Sequence, residues 1–164
     1  MSANLTIRPM TSEDIAAVSQ IDAACFAEPW PKNSFAYELT TDYSICMVAA
    51  TPEAGVVAAI VVWLIVDEAH IATIAVHPDA QGQGIGACLL AHALLAAHQR
   101  GAVTSMLEVR VSNLAAISLY HRFGYLQVGI RKNYYQNNNE DALLLDLDQI
   151  DPNELRNFLA LNNV

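Results

Sequence analysis

Basic residues are scarce in this chain. Its 164 residues carry eight Lys and Arg against seventeen Asp and Glu, a formal charge of −9. Contacts to nucleic-acid phosphates need Lys and Arg, so no direct nucleic-acid partner is expected. Cysteine is also rare. Cys25, Cys46 and Cys88 are odd in number and far apart, which argues against a disulfide framework and fits a reducing compartment. No apolar run reaches the roughly 18–20 residues of a membrane span, so no membrane partner is expected. Residues 1–4 lack a basic region followed by an apolar one, so no secretory signal is visible and a cytoplasmic location follows. The histidines His70, His77, His92, His98 and His121 show no familiar zinc spacing. Cys88 and His92 share a helix face at i, i+4, but one such pair is more often packing, so no metal is expected.

What is present is apolar. Hydrophobic residues make up 54% and charged residues 15% of the chain, which excludes disorder and allows one domain with a real core. The acidic balance would attract a cationic substrate, though solubility alone accounts for it equally well.

Taken in order, residues 5–9 read as a first strand. Thr11-Ser12-Glu13-Asp14 looks like an N-cap with acids in the first turn. The helix it opens places Ile15, Val18, Ile21 and Ala24 at helical spacing and runs to about Phe26. Glu28-Pro29-Trp30-Pro31 breaks it, and Pro31 can begin the next helix, along which Phe35, Tyr37 and Leu39 lie. Strand patterns follow over 44–51, 56–66 and 70–76, separated by turn residues 51–55 and 67–68, and suggest an antiparallel meander. A helix over 86–100 stops at Gly101. Residues 105–111 are the next strand, so this helix makes a parallel crossover. Ser112-Asn113 caps a helix over 114–123 that Gly124 ends. Two closing strands, 125–131 and 142–147, flank a polar loop over 136–141. Asp151-Pro152-Asn153-Glu154 starts a short last helix. The expected organisation is one domain over 1–148, with a helical tail over 149–164 packed on it or extending it.

The chain is organised around residues 69–100. An apolar strand ending at Val76 leads through a short loop to Gly82, Gly84 and Gly86 and into the long helix. Strand, glycine turn and helix N-terminus make a phosphate cradle, because free backbone N–H groups and the positive end of the helix dipole point at an anion. Gly82-x-Gly84-x-x-Ala87 also fits a dinucleotide fingerprint, with Glu108 roughly 20 residues on. That reading ranks lower, because the fingerprint should follow its strand directly within a βαβ unit, and here five loop residues intervene.

Glu108 is a charge inside the apolar run 106–109, which needs a reason. It is either an edge carboxylate facing water or a general base partly withdrawn from water near the middle of the sheet. Tyr120 follows on the next helix, two turns from Asn113 and on the same face. Its phenol suits proton donation to a leaving thiolate, or it is a core aromatic. Asn113 is also a natural helix cap. Phe26 and Trp30 sit at the break between helices, as corner packing or as a pocket wall.

Several motifs now resemble one family. Gln81, Gly84 and Gly86 fit the Q/R-x-x-G-x-G/A coenzyme A loop of the GCN5-related N-acetyltransferases (GNAT). Residues 107–120, LEVRVSNLAAISLY, closely resemble the signature of the RimI-type, ribosomal-protein-alanine branch of that superfamily. Phe26-Ala27-Glu28-Pro29-Trp30, Gly124-Tyr125, Arg131-Lys132-Asn133-Tyr134-Tyr135 and Glu140-Asp141-Ala142 match further elements, from the first helix to about Leu147. The resemblance implies an α/β (α+β) single-domain GNAT fold, with a mixed, mostly antiparallel sheet of about six to seven strands flanked by helices. It implies an N-terminal protein acetyltransferase using acetyl-CoA, with Glu108 as base and Tyr120 as acid. Ile74, Ala75 and Val76 would hold the acetyl-pantetheine arm. Gly82, Gln83, Gly84, Ile85, Gly86 and Ala87 would hold the pyrophosphate, and Asn113 would also touch coenzyme A. Phe26, Trp30, Tyr134 and Tyr135 would line the cleft for the substrate N-terminus. Relatives often carry arginine where this chain has Ala87, so phosphate binding would rest on backbone N–H groups.

The implied partner is a protein N-terminus, that of a small-subunit ribosomal protein beginning with alanine. The enzyme would act as a monomer or weak homodimer. No base adjoins Cys25 or Cys88 in sequence, which favours direct transfer over an acetyl-cysteine. Acetylation of lysine side chains or small amines stays open, as does a non-catalytic acyl-CoA-binding module. Retention of both Glu108 and Tyr120 favours an enzyme.

Overall fold

In a computed structural model, which describes residues 4–164, the alternating strands assemble into one seven-stranded sheet in the order β1-β2-β3-β4-β5-β7-β6. The strands are β1 Thr6–Pro9, β2 Ser44–Thr51, β3 Gly55–Ile65, β4 Glu68–Val76, β5 Thr104–Arg110, β6 Leu126–Tyr135 and β7 Glu140–Leu147. The expected mixed, mostly antiparallel sheet is present. Among the described residues β4 and β5 form its one parallel pair. The helices are α1 Ile15–Cys25, α2 Ser34–Glu38, α3 Ile85–Gln99, α4 Leu114–Arg122 and α5 Pro152–Leu161. Three consecutive antiparallel strands precede the glycine turn, and β4-α3-β5 is the one parallel crossover among the described residues, so the repeated βαβ units of a dinucleotide fold are absent from them. The reading of residues 1–3 lies outside them.

Strand alternation sorts side chains onto two faces. On one face Met10, Val18, Phe35, Val48, Ala59 and Val61 form a core under α1 and α2. On the other, Ile45, Met47, Ile60, Val62 and Leu107 meet α3. Leu89, Leu90 and Leu94 of α3 are fully buried, and so are Ala91, Ala93 and Ala97 around the rest of its circumference. A helix apolar on every side needs a second cover besides the sheet. α5 packs on α3 and buries Leu155 and Leu159 in the same core. Asp151 caps α5, accepting from the N–H groups of Asn153 and Glu154.

Several boundaries depart from the sequence reading. Pro31 does not open α2. It accepts a turn hydrogen bond from Ser34 N, and the helix starts at Ser34 after Asn33. Thr11 caps a single 3-10 turn, Ser12–Asp14, ahead of α1. Ala24 is exposed, and Asp22 is buried on that face instead. The carboxylate turns inward because Oδ2 accepts from Trp30 N at 2.7 Å, which holds the chain where it leaves α1. β6 runs on through Tyr135, past the expected end at Arg131.

Candidate active site

The site begins where two strands part. The β4–β5 register runs only from Glu68↔Thr104 to His70↔Met106, although β4 continues to Val76 and β5 to Arg110. The β3–β4 ladder pairs Val61 with Thr73 and Val62 with Ile71, so Ala72 is an extra, bulged residue that bends β4. From Ile71 onward the edge of β4 facing β5 has no strand partner among the described residues. Backbone polar groups left open in this way accept an extended, amide-bearing ligand as an added strand.

β4 then delivers the chain to the glycine turn. Gly82 and Gly84 take φ of 76° and 80°, the left-handed region that glycine enters without strain. Gly84 is the N-cap of α3, with no side chain bonded to the helix start. The first-turn N–H groups of α3 therefore stay available for an anion. Ile85 and Ala87 bury their side chains and offer only backbone. A Cβ on Gly86 would stand 3.4 Å from Val76 Cγ2 and 3.8 Å from Leu119 Cδ2, ordinary contact distances, so α3 passes beside β4 and α4 here without requiring glycine.

A cleft of about 600 Å³ opens between the parted strands, lined by Phe26, Trp30, Ile74, Glu108, Asn113, Tyr120 and Tyr135 among others. The Glu108 side chain is 15% exposed, with Oε2 2.8 Å from His70 Nε2 and Oε1 4.0 Å from Arg131 Nη2. Tyr120 is buried and tilts against Tyr125 at 5.5 Å between centroids. Burial, reinforced by nearby Tyr135, pushes its phenol well above the ordinary tyrosine value. The Tyr120 hydroxyl has no hydrogen-bond partner among the described residues. Tyr125 spends its own on Ser105 Oγ at 2.6 Å. Asn113 does cap α4, its Oδ1 accepting from Ala116 N at 3.2 Å, while also lining the cleft.

The walls are held from behind. Trp30 stacks on Phe35 at 5.1 Å and on Trp63 at 6.3 Å. The Arg110 guanidinium lies 3.8 Å over the Tyr135 ring and donates to Asn137, Asn138 and Glu140. Glu140 accepts from Ser112 N at 2.8 Å. Bonding to Ser112, Asn138 and Arg110 lowers the Glu140 carboxyl to about 2. The β6–β7 turn is thereby tied to the start of α4 at the cleft rim.

The structure thus brings Glu108, Tyr120, Asn113, Ile74, Phe26, Trp30 and Tyr135 to one cleft. Ala75 and Val76 continue the open β4 edge beyond it, toward residues 82–87 of the turn. Tyr134 stands outside the lining, 46% exposed and edge-on to Tyr135. Sequence reasoning missed His70 and the Arg110–Glu140 tie. His70 sits on the alternation of β4, but its meeting with Glu108 depends on the β4–β5 register, which periodicity does not encode.

Residues 15–125 match the Acetyltransferase (GNAT) family. The chain belongs to that family. It is 36% identical over 144 residues to the [Ribosomal protein bS18]-alanine N-acetyltransferase of Escherichia coli (strain K12), covering 87% of this chain and 96% of that protein. It is 34% identical over 166 residues to the N-alpha-acetyltransferase RimI of Mycobacterium tuberculosis (strain ATCC 25618 / H37Rv), covering 90% and 95%. The crystal structure of the ribosomal-protein-S18-alanine N-acetyltransferase from Escherichia coli superposes with a TM-score of 0.80 at 33% identity, over 90% of this chain and 96% of that one. As a GNAT enzyme the chain is an N-acetyltransferase. Among the described residues no helix is long and apolar enough to cross a membrane.

Proposed function

We propose that this GNAT enzyme acetylates the N-terminal α-amine of a protein in the cytoplasm, the alanine that begins ribosomal protein bS18, with acetyl-CoA as donor. The observation that carries the reading is the convergence of Glu108, Tyr120 and the unpaired edge of β4 on one cleft. The residues suit the donor. The open β4 edge along Ile74, Ala75 and Val76 would run beside an amide-bearing arm, with the Val76 carbonyl already taken by Cys25 and Gln81, and Gly82 to Ala87 offer N–H groups to a pyrophosphate. Asn113, at the head of α4 and lining the cleft, would stand beside that arm. When bound, acetyl-CoA supplies the acetyl group as a reactive thioester.

The protein's own groups divide the rest. An α-amine with pKa near ~8 is largely protonated at neutral pH and not nucleophilic. Glu108 removes that proton, directly or through one water. An unpaired β4 N–H donates to the acetyl oxygen as it gains charge. Tyr120, whose phenol burial keeps protonated, returns a proton to the departing sulfur. Cys25 takes no covalent part. Burial and nearby Asp22 raise its thiol, which donates to Val76 O at 3.1 Å. Trp30, fixed between Phe35 and Trp63, cannot yield to a bulky first side chain, which favours alanine. Phe26, Tyr135 and, at the rim, Tyr134 flank the residues after it.

The test is a panel of peptides with acetyl-CoA: alanine-starting bS18 sequence, the same peptide with a bulky first residue, an N-blocked lysine peptide and a polyamine. Alanine-starting peptide should give the highest kcat/KM. Faster acetylation of lysine side chains or polyamine would overturn the assignment.

A further inference from the structure

Glu108 is an ionised acceptor when it acts as a base, and an ionised carboxylate cannot donate. Its contact to His70 Nε2 at 2.8 Å therefore places the proton on that nitrogen. This is the one side-chain hydrogen bond to Glu108 among the described residues. Arg131 Nη2, 4.0 Å from Oε1, stands beyond hydrogen-bond reach on a side chain 53% exposed. His70 is also the last residue of β4 in register with β5. It pairs with Met106, which shares a strand face with Glu108.

His70 is itself held. It pairs across β3 with Trp63, whose ring meets it edge-on at 5.7 Å. Trp63 Nε1 donates to Glu38 Oε2 at 3.0 Å, and the Ser44 hydroxyl donates to the same oxygen. Glu38 is only 6% exposed. A line of fixed groups therefore runs from α2 through Trp63 and His70 to the carboxylate.

Building on the reading of Glu108 as the base, we propose that His70 is a positioning residue for this reaction. Its Nε2–H occupies Oε2, fixes the plane of the carboxylate and leaves Oε1 to take the proton of the substrate amine. No covalent bond to His70 forms, and the proton passes from substrate nitrogen to Glu108 alone. The groups facing Glu108 are His70 from β4 and, from β6, Arg131 and Tyr135.

The experiment compares His70→Gln with His70→Met in the full chain, using alanine-starting peptide and acetyl-CoA. The two side chains have similar length, and only glutamine can donate to Glu108. His70→Met should lower kcat/KM for peptide by about ten- to hundredfold through loss of orientation, with KM for acetyl-CoA unchanged. His70→Gln should recover most of the rate. Combined with Glu108→Gln, His70→Met should add no further loss, since both act through one group. If His70→Met does not fold, judged by thermal unfolding, His70→Phe takes its place, keeping an aromatic ring beside Trp63 without the donor. Wild-type rates in the donor-free variant, no recovery in His70→Gln, or losses additive with Glu108→Gln, overturn the inference while the base assignment stands. Wild-type activity in Glu108→Gln removes the base assignment and the inference with it.

Discussion

At the scale of single residues, Tyr120 gives the sharpest expectation. Desolvation is the chief cause of its raised phenol, ahead of nearby Tyr135, and Tyr125 is raised in the same way. A buried phenol holds its proton above the ordinary value of 10.0, so the acid form persists wherever the substrate amine is free. The folded state then binds more protons than the unfolded chain at alkaline pH. Its contribution to stability is complete below the unfolded tyrosine value and is lost as pH rises past it. Activity should therefore climb as the amine deprotonates, hold a plateau, and fail at high pH through unfolding. Tyr120→Phe should cut kcat by about 10²–10⁴-fold with little change in acetyl-CoA binding, and should flatten the alkaline fall in stability. Paired pH profiles of kcat and of the urea midpoint check both. An alkaline limb in kcat, with the fold intact and present only in wild type, would assign Tyr120 an ordinary phenol and refute this account.

At the scale of elements, α5 completes a helix that cannot be half-exposed. α3 buries apolar side chains around its circumference, and Leu159 of α5 lies 6% exposed against that core. Leu159→Ala should cost about 2–5 kcal/mol by lost transfer energy and a residual cavity. Because no α5 residue lines the cleft, kcat at a temperature where the variant stays folded should be unchanged. A urea midpoint equal to wild type, or a fall in kcat of the folded variant, would reject this role. The seven strands and five helices were largely legible, because apolar alternation and helical spacing report which side faces a core. Misreadings fell where local chemistry is ambiguous. Pro31 can open a helix or close a turn, and Ala24 fits the apolar spacing of α1, while the buried place goes to Asp22 because Trp30 N needs its carboxylate. Glu108 could be singled out as a charge in an apolar strand, and the glycine turn by its spacing. The parting of β4 from β5, the bulge at Ala72 and the His70 contact are products of long-range register, which period-2 patterning leaves open.

At the scale of the whole molecule, the field of a chain at −9 acts oppositely on its two proposed substrates. A basic ribosomal N-terminus is drawn in, while acetyl-CoA, an anion, is repelled at long range. The glycine turn adds no cationic side chain to reverse this. No Lys or Arg occurs between Val76 and Gln99, so phosphate recognition there rests on short-range backbone N–H groups and the end of α3. Screening weakens long-range attraction and repulsion alike, since the Debye length shrinks from about 10 Å at 0.1 M salt toward 3 Å at 1 M. Raising salt from about 50 to 500 mM across that regime should therefore raise KM for a basic alanine-starting peptide several-fold. KM for a neutral peptide with the same first residue should stay level, and KM for acetyl-CoA should stay level or fall. Steady-state kinetics with both peptides at matched acetyl-CoA saturation measures all three. A basic peptide whose KM ignores salt would show that the acidic surface serves solubility alone, and a steep rise in acetyl-CoA KM would place cationic side chains, rather than backbone N–H groups, at the pyrophosphate.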